Sequence, residues 1–280
     1  MTAGDVEVIK GTINSHLAAS FDGTDDELQI NAAAVAAQTA ASSTGTIAFW
    51  FMPDNITGTY GLIAFGAAVG AASETLLIQQ AVNDIRVYGR TQAAAGFDII
   101  TTAAALEART WVHVCVVKTE VRPNIYINGS LVTMTDTVST DLTDWFAEFA
   151  NLDEGRIGCR TLNGAEDQFL LGVMGPTKLW NVALTATEVA REAGIDSSSN
   201  ETAQQTILDA ALQNYWGWDG VLTDAGTGAD TAVVVGHAYL SGWTSEWSRL
   251  IETRGYTNAA DQFNTFRDGP QYVTIAIQGA

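Results

Sequence analysis

Few side chains in this sequence stand in a pattern that could perform catalysis. A sugar hydrolase needs two carboxylates that face each other across the scissile bond. The nearest acidic cluster, residues 25–27, follows a Phe-Asp-Gly turn, and we interpret it as structural. Asp153 and Glu154 precede a predicted strand, and we interpret them as a solvated loop. The motifs of serine hydrolases, zinc peptidases and nucleotide-binding loops are absent, so we predict that the protein is not an enzyme.

Histidine, cysteine and tryptophan offer no clear site either. His113 and Cys115 alternate on one face of a predicted strand, and we expect His113 to be a hydrogen-bonded histidine at a sheet face rather than a metal ligand or base. Cys115 and Cys159 are predicted to be buried apolar residues, which could form a disulfide only if their strands are adjacent. Trp216 and Trp218 share a strand face, which favours core packing or a subunit contact over a sugar platform.

Composition excludes two classes of partner. The 280 residues include 13 basic and 32 acidic side chains, which gives a formal net charge of −19. Such a charge repels phosphate backbones and anionic lipids, so we predict no binding to nucleic acid. The apolar runs are too short to predict membrane insertion, and the first residues lack the pattern of a signal peptide.

The pattern of short apolar segments predicts an all-β protein. The segments are rich in β-branched and aromatic residues and are separated by Gly, Asn, Asp and Thr. Residues 46–52 are apolar on both faces, which predicts a central strand, and Asn128-Gly129 predicts a hairpin turn. One helix is predicted at residues 185–193, with a capping box of Thr185 and Glu188. The predicted strands lie at 18–21, 28–30, 45–52, 60–65, 75–80, 84–89, 97–101, 110–119, 124–127, 130–133, 155–159, 172–180, 214–218, 231–236 and 272–277.

Several of these segments together resemble a known family. The chain looks like a laminin-G-like jelly roll of the concanavalin A type between residues 17 and 193. The segments that carry the resemblance are 17–28, 45–54, 111–117, 125–132, 156–160, 171–181 and 183–189. The resemblance implies a concanavalin-A-like antiparallel jelly-roll sandwich with one short helix and extended terminal segments.

We predict one folded domain between two arms. The N-terminal arm is residues 1–16, the laminin-G-like jelly roll is residues 17–246, and the C-terminal arm is residues 247–280. Residues 214–220 and 223–230 resemble the strand and the Gly/Asp loop that often open such domains, although here they follow the helix. We expect them to complete the same sandwich, because the remaining residues are too few for another core.

The resemblance also raises the possibility of calcium, which laminin-G-like and pentraxin relatives often bind at one rim of the sandwich. Calcium takes several oxygen ligands from carboxylates, amides and carbonyls. Asn163, Glu166 and Asp167 lie in a loop between two predicted closing strands, where such relatives often carry a polar loop, and they form the candidate calcium site. A second set surrounds the Gly-rich loop and consists of Asp219, Asp224 and Asp230. For either set the alternative is a solvated loop on an acidic protein.

These features lead to three hypotheses for function. The first is a non-enzymatic virion structural protein, a capsid decoration, turret or tail component of a phage or archaeal virus, made in the host cytoplasm without a signal peptide. Laminin-G-like domains are frequent in such proteins, and the expected partners are other virion proteins and copies of the chain itself. The alternative is a carbohydrate-binding adhesin module, with or without calcium, that contacts host-surface glycans. A jelly-roll glycoside hydrolase is the third and ranks below both.

Overall fold

A computed structural model describes residues 17–30, 43–67, 74–91, 94–149, 151–193, 212–216, 232–235 and 239–242. These residues form two eight-stranded antiparallel sheets and a separate two-stranded hairpin. The predicted all-β jelly-roll sandwich is therefore confirmed. The strands are β1 (Leu17–Asp22), β2 (Glu27–Ile30), β3 (Gly45–Pro53), β4 (Thr59–Gly66), β5 (Thr75–Ala81), β6 (Asp84–Arg90), β7 (Ala95–Thr101), β8 (Val112–Lys118), β9 (Pro123–Ile127), β10 (Ser130–Leu131), β11 (Met134–Ser139), β12 (Glu154–Ile157), β13 (Arg160–Leu162), β14 (Ala165–Asp167), β15 (Leu171–Trp180), β16 (Leu212–Trp216), β17 (Ala232–Val235) and β18 (Tyr239–Gly242).

The two large sheets draw their strands from all along the chain. Sheet I has the order β10-β9-β8-β3-β15-β1-β18, with β16 also paired to β15. Sheet II has the order β11-β7-β6-β5-β4-β12-β2-β17, and β13 and β14 form the separate hairpin. The described part of the chain contains one α-helix, α1 (Ala186–Glu192), which follows β15.

An apolar core fills the space between the sheets. In β3 the side chains of Ile47, Phe49 and Phe51 point into this core, while Ala48 and Met52 lie in separate buried clusters on the outer face. The predicted central strand with two apolar faces is therefore confirmed. Sheet II supplies the opposite half of the core through Leu28, Ile30, Leu62, Ile63, Phe65, Leu76, Ile78, Ile85, Val87, Phe97, Ile99 and Ile157.

The outer face of sheet I is buried as well. Helix α1 begins at the predicted cap, where the Thr185 hydroxyl accepts a hydrogen bond from the backbone N–H of Glu188 and the Glu188 carboxylate accepts one from that of Thr185. Two apolar clusters cover this face. They consist of Ala48, Cys115, Val117, Trp180, Leu184 and Val189, and of Ala18, Met52, Trp111 and Val173. This face therefore offers little surface to a partner.

The last described strands pair with both sheets. Strand β16 pairs with β15, β17 pairs with β2, and β18 pairs with β1. These pairings are the ones expected if this region completes the same sandwich. The two arms, the strand predicted at 272–277 and the second calcium set lie outside the described residues.

Four described strands were not predicted correctly from the sequence. Residues 160–167 were expected to be a loop but form the hairpin β13–β14, and β18 was not predicted. Strand β11 was also missed, because its side chains alternate between partly buried and exposed without an apolar face. Cys115 lies on sheet I and Cys159 follows β12 of sheet II, so both cysteines are free and buried.

In the described ranges, no helix is long and apolar enough to cross a membrane.

His113 lies on the outer face of sheet I and is 1% exposed. Its ring centroid is 5.2 Å from that of Trp50, and its Nδ1 atom is buried without a hydrogen-bond partner among the described residues. The predicted position at a sheet face is confirmed. Burial, helped by the charge of Lys178, lowers the pKa of His113 from 6.5 to about 3.

Acid is expected to destabilise the protein through His113. Because the folded pKa of about 3 lies below the usual 6.5, the unfolded chain takes up a proton in this range that the folded chain does not. The contribution of His113 to the free energy of unfolding is therefore complete above pH 6.5. It falls as the pH decreases, and the free energy of unfolding should be lower by about 2 kcal/mol at pH 5. Denaturant unfolding at pH 7 and at pH 5 measures this difference in the free energy of unfolding. His113→Gln should lack this part of the pH dependence, and identical dependence in both proteins would refute the assignment.

Candidate functional site

The hairpin β13–β14 folds back over the outer face of sheet II. It can approach β4 closely because Gly61 and Gly66 have no side chains. A Cβ atom at Gly61 would lie 2.2 Å from the backbone nitrogen of Arg160, and one at Gly66 would lie 3.0 Å from the Thr161 Cγ2 atom. Asn163 and Gly164 form the turn with φ angles of 54° and 70°, as a two-residue hairpin loop requires.

A buried ionic cluster lies beneath this hairpin. Arg156 of β12 is within 3.3 Å of Glu27, 3.0 Å of Glu154 and 2.9 Å of Glu166, and these four residues are named the Arg156 cluster. Burial alone would lower the pKa of Arg156, but the neighbouring carboxylates, led by Glu154, raise it. The cluster joins β2 and β12 of sheet II to β14 of the hairpin.

Neutral side chains complete the Arg156 cluster. The Cys159 thiol donates a hydrogen bond to Glu27 Oε2 at 3.0 Å, and the Thr161 hydroxyl donates one to Glu154. Glu154 was predicted to be a solvated loop residue, which is wrong: it begins β12 and is 7% exposed. The sequence did not predict the hairpin that covers this residue. Glu154 pairs with Arg156 of the same strand beneath that hairpin.

Partly exposed polar side chains lie beside the hairpin on the outer face of sheet II. Alternation in β6 buries Ile85 and Val87 in the core and places Arg86, Tyr88 and Arg90 on the outer face. Tyr88 is opposite Asp98 of β7 in the strand register. We name the surface made by Arg86, Tyr88, Arg90 and Asp98, together with Arg160 and Asp167 of the hairpin, the β6 face.

An ion pair fixes Arg86 on the β6 face. Its Nε atom donates to Asp98 Oδ1 at 2.6 Å, and its Nη2 atom donates to Asp98 Oδ2 at 2.5 Å. The guanidinium carbon is 5.3 Å from the centroid of the Tyr88 ring. The pKa of Arg86 is raised, mainly by the hydrogen bonds to Asp98. About a third of the Arg86 side chain remains accessible, at 33% exposure.

A second ion pair forms the edge of the hairpin. Arg160 Nε donates to Asp167 Oδ1 at 2.6 Å, and Nη2 donates to Oδ2. The hydrogen bonds to Asp167 raise the pKa of Arg160, whereas the charge of Arg86 acts against them and Tyr88 acts with them. A Cβ atom at Gly61 would lie 2.2 Å from the Arg160 nitrogen, and Gly61 is in register with Gln79 of β5 and through it with Arg86 of β6, so Arg160 lies two strands from Arg86. The strand β6 and the hairpin therefore form one continuous polar surface around an aromatic ring.

The candidate calcium residues lie in this hairpin. Asn163 occupies the turn, Glu166 is paired with Arg156, and Asp167 is paired with Arg160. Their oxygen atoms suit calcium in type, but each carboxylate is already paired with an arginine that a cation would have to displace, so the set is a poor fit for a cation. Calcium at Asn163, Glu166 and Asp167 stays a prediction.

Another acidic group lies at the turn between β1 and β2. The carboxylate oxygens of Asp22, Asp25 and Asp26 lie within 4.8 Å of one another. The Asp26 Oδ2 atom accepts a hydrogen bond from the backbone N–H of Asp22 at 2.8 Å, and Asp22 Oδ1 accepts one from Thr24 at 2.8 Å. These bonds agree with the structural interpretation of this turn.

The sequence contained a signal for the β6 face that was overlooked. In the predicted strand at 84–89, Arg86 and Tyr88 alternate with Ile85 and Val87, so they had to share the face opposite the core. Neither the ion pairs with Asp98 and Asp167 nor the position of the hairpin could be read from that alternation, because both depend on pairing between distant strands.

Comparison with known proteins agrees with this architecture. Residues 15–190 match the family model of the concanavalin A-like lectin/glucanases superfamily. No curated protein matches the chain significantly. Among solved structures, a candidate carbohydrate-binding protein of Bacteroides ovatus has 15% identity and a TM-score of 0.53 over 83% of this chain. The chain spans only 61% of the length of that protein.

Two further structures are similar over nearly their whole length. The CBM40 domain of the Ruminococcus gnavus IT-sialidase, bound to α2,3 sialyllactose, has 13% identity, a TM-score of 0.52 and coverage of 65% of this chain and 100% of its own. The heptameric SAP-like pentraxin of Limulus polyphemus has 16% identity, a TM-score of 0.54 and coverage of 83% and 97%. At these identities the likeness shows the fold alone. The family match covers β1 to β15 and most of the helix, which is more than half of the chain, and the chain therefore belongs to the concanavalin A-like lectin/glucanases superfamily.

Proposed function

We propose that this protein is a non-catalytic carbohydrate-binding module that takes its ligand on the β6 face. One observation carries the proposal: polar side chains of β6 and the hairpin are partly exposed on the outer face of sheet II, whereas apolar clusters bury the outer face of sheet I. A ligand that binds to a flat face of the sandwich is therefore expected to contact the outer face of sheet II.

The side chains of the β6 face suit a sugar. Carbohydrate sites combine an aromatic ring with a few polar groups that fix orientation. Tyr88 supplies the ring, and the arginine pairs with Asp98 and Asp167 supply donors and acceptors on both sides of it. Because each pair holds its side chains in place, little conformational entropy is lost when a ligand binds.

The similar proteins support this assignment. The CBM40 domain is bound to sialyllactose, and the Bacteroides ovatus protein is a candidate carbohydrate-binding protein.

The absence of an enzymatic role is part of the proposal. The carboxylates of the β6 face, Asp98 and Asp167, are each engaged by an arginine, and Glu27 and Glu154 are buried in the Arg156 cluster. None of these four is placed to act as a general acid on a bound sugar.

Tyr88→Ala tests the proposed site. Loss of the aromatic contact is expected to weaken glycan binding about tenfold, because ring contacts contribute about 1 kcal/mol or more to such complexes. A glycan array identifies a ligand for the unmodified protein, and titration calorimetry compares the variants. Tyr126→Ala, which changes a tyrosine on the outer face of sheet I, is the matched control. Repeating the array with a chelator tests the calcium prediction at the same time.

Equal affinity of the Tyr88 variant and the unmodified protein for the glycan would show that the ligand does not bind at the β6 face. No glycan bound in either condition, together with no release of reducing sugar from polysaccharides, would refute the carbohydrate-binding function. Release of reducing sugar would instead support the glycoside hydrolase that ranked third.

We also propose the virion role as a second function. The finding that favours it is the heptameric state of the similar pentraxin, since a fold that closes into rings of identical copies suits a repetitive particle. The expected partners are copies of this chain and other virion proteins, and host glycans could be bound by the same module. Native mass spectrometry and electron microscopy of the assembled protein test this role, and a monomer at micromolar concentration would count against it.

A further inference from the structure

We propose that the β6 face selects sugars that carry a carboxylate over their neutral counterparts. This inference rests on the proposed carbohydrate-binding function and names the class of ligand. Its basis is the placement of three guanidinium groups near Tyr88: Arg86 and Arg90 share its face of β6, and Arg160 lies on the hairpin over Gly61, a residue in register with Gln79 and Arg86. The chain as a whole has 13 basic against 32 acidic residues, so three arginines this close together are unusual for this protein.

The two paired arginines keep donors for a ligand. Asp98 engages Nε and Nη2 of Arg86, and Asp167 engages the same two atoms of Arg160. Among the described residues the Nη1 atom of each guanidinium has no hydrogen-bond partner, and 33% and 29% of these side chains remain exposed. The aspartates therefore orient the arginines without using all five N–H groups that a guanidinium carries.

Arg90 supplies the uncompensated charge. Within the described ranges it has no ion pair, and its Nε atom is buried without a hydrogen-bond partner. The neighbouring residue in the strand register, Thr75, is 2% exposed and its Oγ1 atom is also buried without a partner. The Arg90 side chain as a whole is partly exposed, so an anionic ligand would supply the countercharge that the guanidinium lacks among the described residues.

A carboxylate matches these donors better than a hydroxyl. It is planar and accepts two parallel hydrogen bonds from one guanidinium, and such charge-assisted bonds are about twice as strong as neutral ones. Within the described ranges Arg90 has no ion pair, so its guanidinium is the positive charge that a ligand carboxylate would neutralise. A neutral sugar would leave that charge in place.

Paired ligands isolate the contribution of the carboxylate. 3′-Sialyllactose is compared with lactose, and trigalacturonic acid is compared with its methyl ester, in which the same sugar carries no charge. We expect the acidic member of at least one pair to bind about tenfold or more tightly, with an affinity that falls between 50 and 500 mM salt, values chosen to change the screening length about threefold.

Two variants locate the effect. Arg160→Gln leaves only Asp167 without its partner, and this side chain is 50% exposed, so the fold should be preserved. Arg90→Gln removes the uncompensated charge. Each is expected to lower affinity for the acidic sugar about tenfold while Tm stays within a few degrees. Arg109→Gln, at a side chain that is 53% exposed and paired with Asp54, is the control and should bind normally.

The outcomes separate this inference from the proposed function. Binding of neutral and acidic sugars with equal affinity would overturn the inference and leave the carbohydrate-binding function standing. Selective binding of acidic sugars that both arginine variants retain would overturn the site. Binding of neither member of either pair, together with an empty glycan array, would overturn both.

Discussion

Arg156→Met is expected to lower the free energy of unfolding by about 3–5 kcal/mol, because removing one partner of a buried ionic cluster leaves the others charged and unpaired. Glu27 and Glu154 are 3% and 7% exposed, so water cannot replace the guanidinium. The loss should appear as a decrease in the denaturant midpoint with little change in slope.

Two comparisons make the result at Arg156 specific. Arg109→Met removes an ion pair with Asp54 in which the side chains are 53% and 31% exposed, and it should cost only about 0–1 kcal/mol. Adding Glu154→Gln to Arg156→Met should restore part of the stability, because one buried charge is removed. Equal losses in the two arginine variants would mean that the Arg156 cluster is as well solvated as the surface pair.

Gly61→Val is expected to displace the hairpin β13–β14 and to cost about 3 kcal/mol, the upper end of the usual range for overpacking. A Cβ atom at Gly61 would lie 2.2 Å from both the Cys159 carbonyl carbon and the Arg160 nitrogen. These are backbone atoms, so rotating a side chain cannot relieve the contact. Because Arg160 would move with the hairpin, glycan binding should be lost as well.

Gly66→Ala is the matched control for this glycine. Its added Cβ atom would meet the Thr161 Cγ2 atom at 3.0 Å, a methyl group that can move by a few tenths of an ångström. Thermal unfolding should therefore show a smaller decrease in Tm than for Gly61→Val. Similar Tm values for the unmodified protein and Gly61→Val would show that the hairpin is not held tightly against β4.

Much of the sandwich could be predicted because its strands are short apolar segments separated by turn residues. Strand β3 is apolar on both faces, and α1 begins at a capping box, so local sequence was sufficient in both places. The hairpin β13–β14 was missed because Arg160, Glu166 and Asp167 look like a solvated loop until their partners are known. Its stability comes from Arg156, from the turn at Asn163 and from two glycines on another strand.

The candidate site was predicted less well than the fold. Sequence reasoning chose Asn163, Glu166 and Asp167 for calcium, and these residues do lie at the hairpin, but the arginines that face them were not anticipated. The β6 face depends on the register that places Tyr88 opposite Asp98 and on the hairpin that brings Arg160 beside them. Both are long-range pairings, which a strand pattern alone does not specify.

The positions of the two cysteines determine which redox conditions suit folding of the protein. Cys115 lies on sheet I and Cys159 between β12 and β13, and burial raises the pKa of both thiols, so neither forms the reactive thiolate at neutral pH. The described domain needs no cross-link to hold its sheets together and presents no nucleophilic sulfur to oxidants. Because the unfolded chain exposes both thiols, folding should proceed best under reducing conditions, which prevent a disulfide that the folded positions do not form.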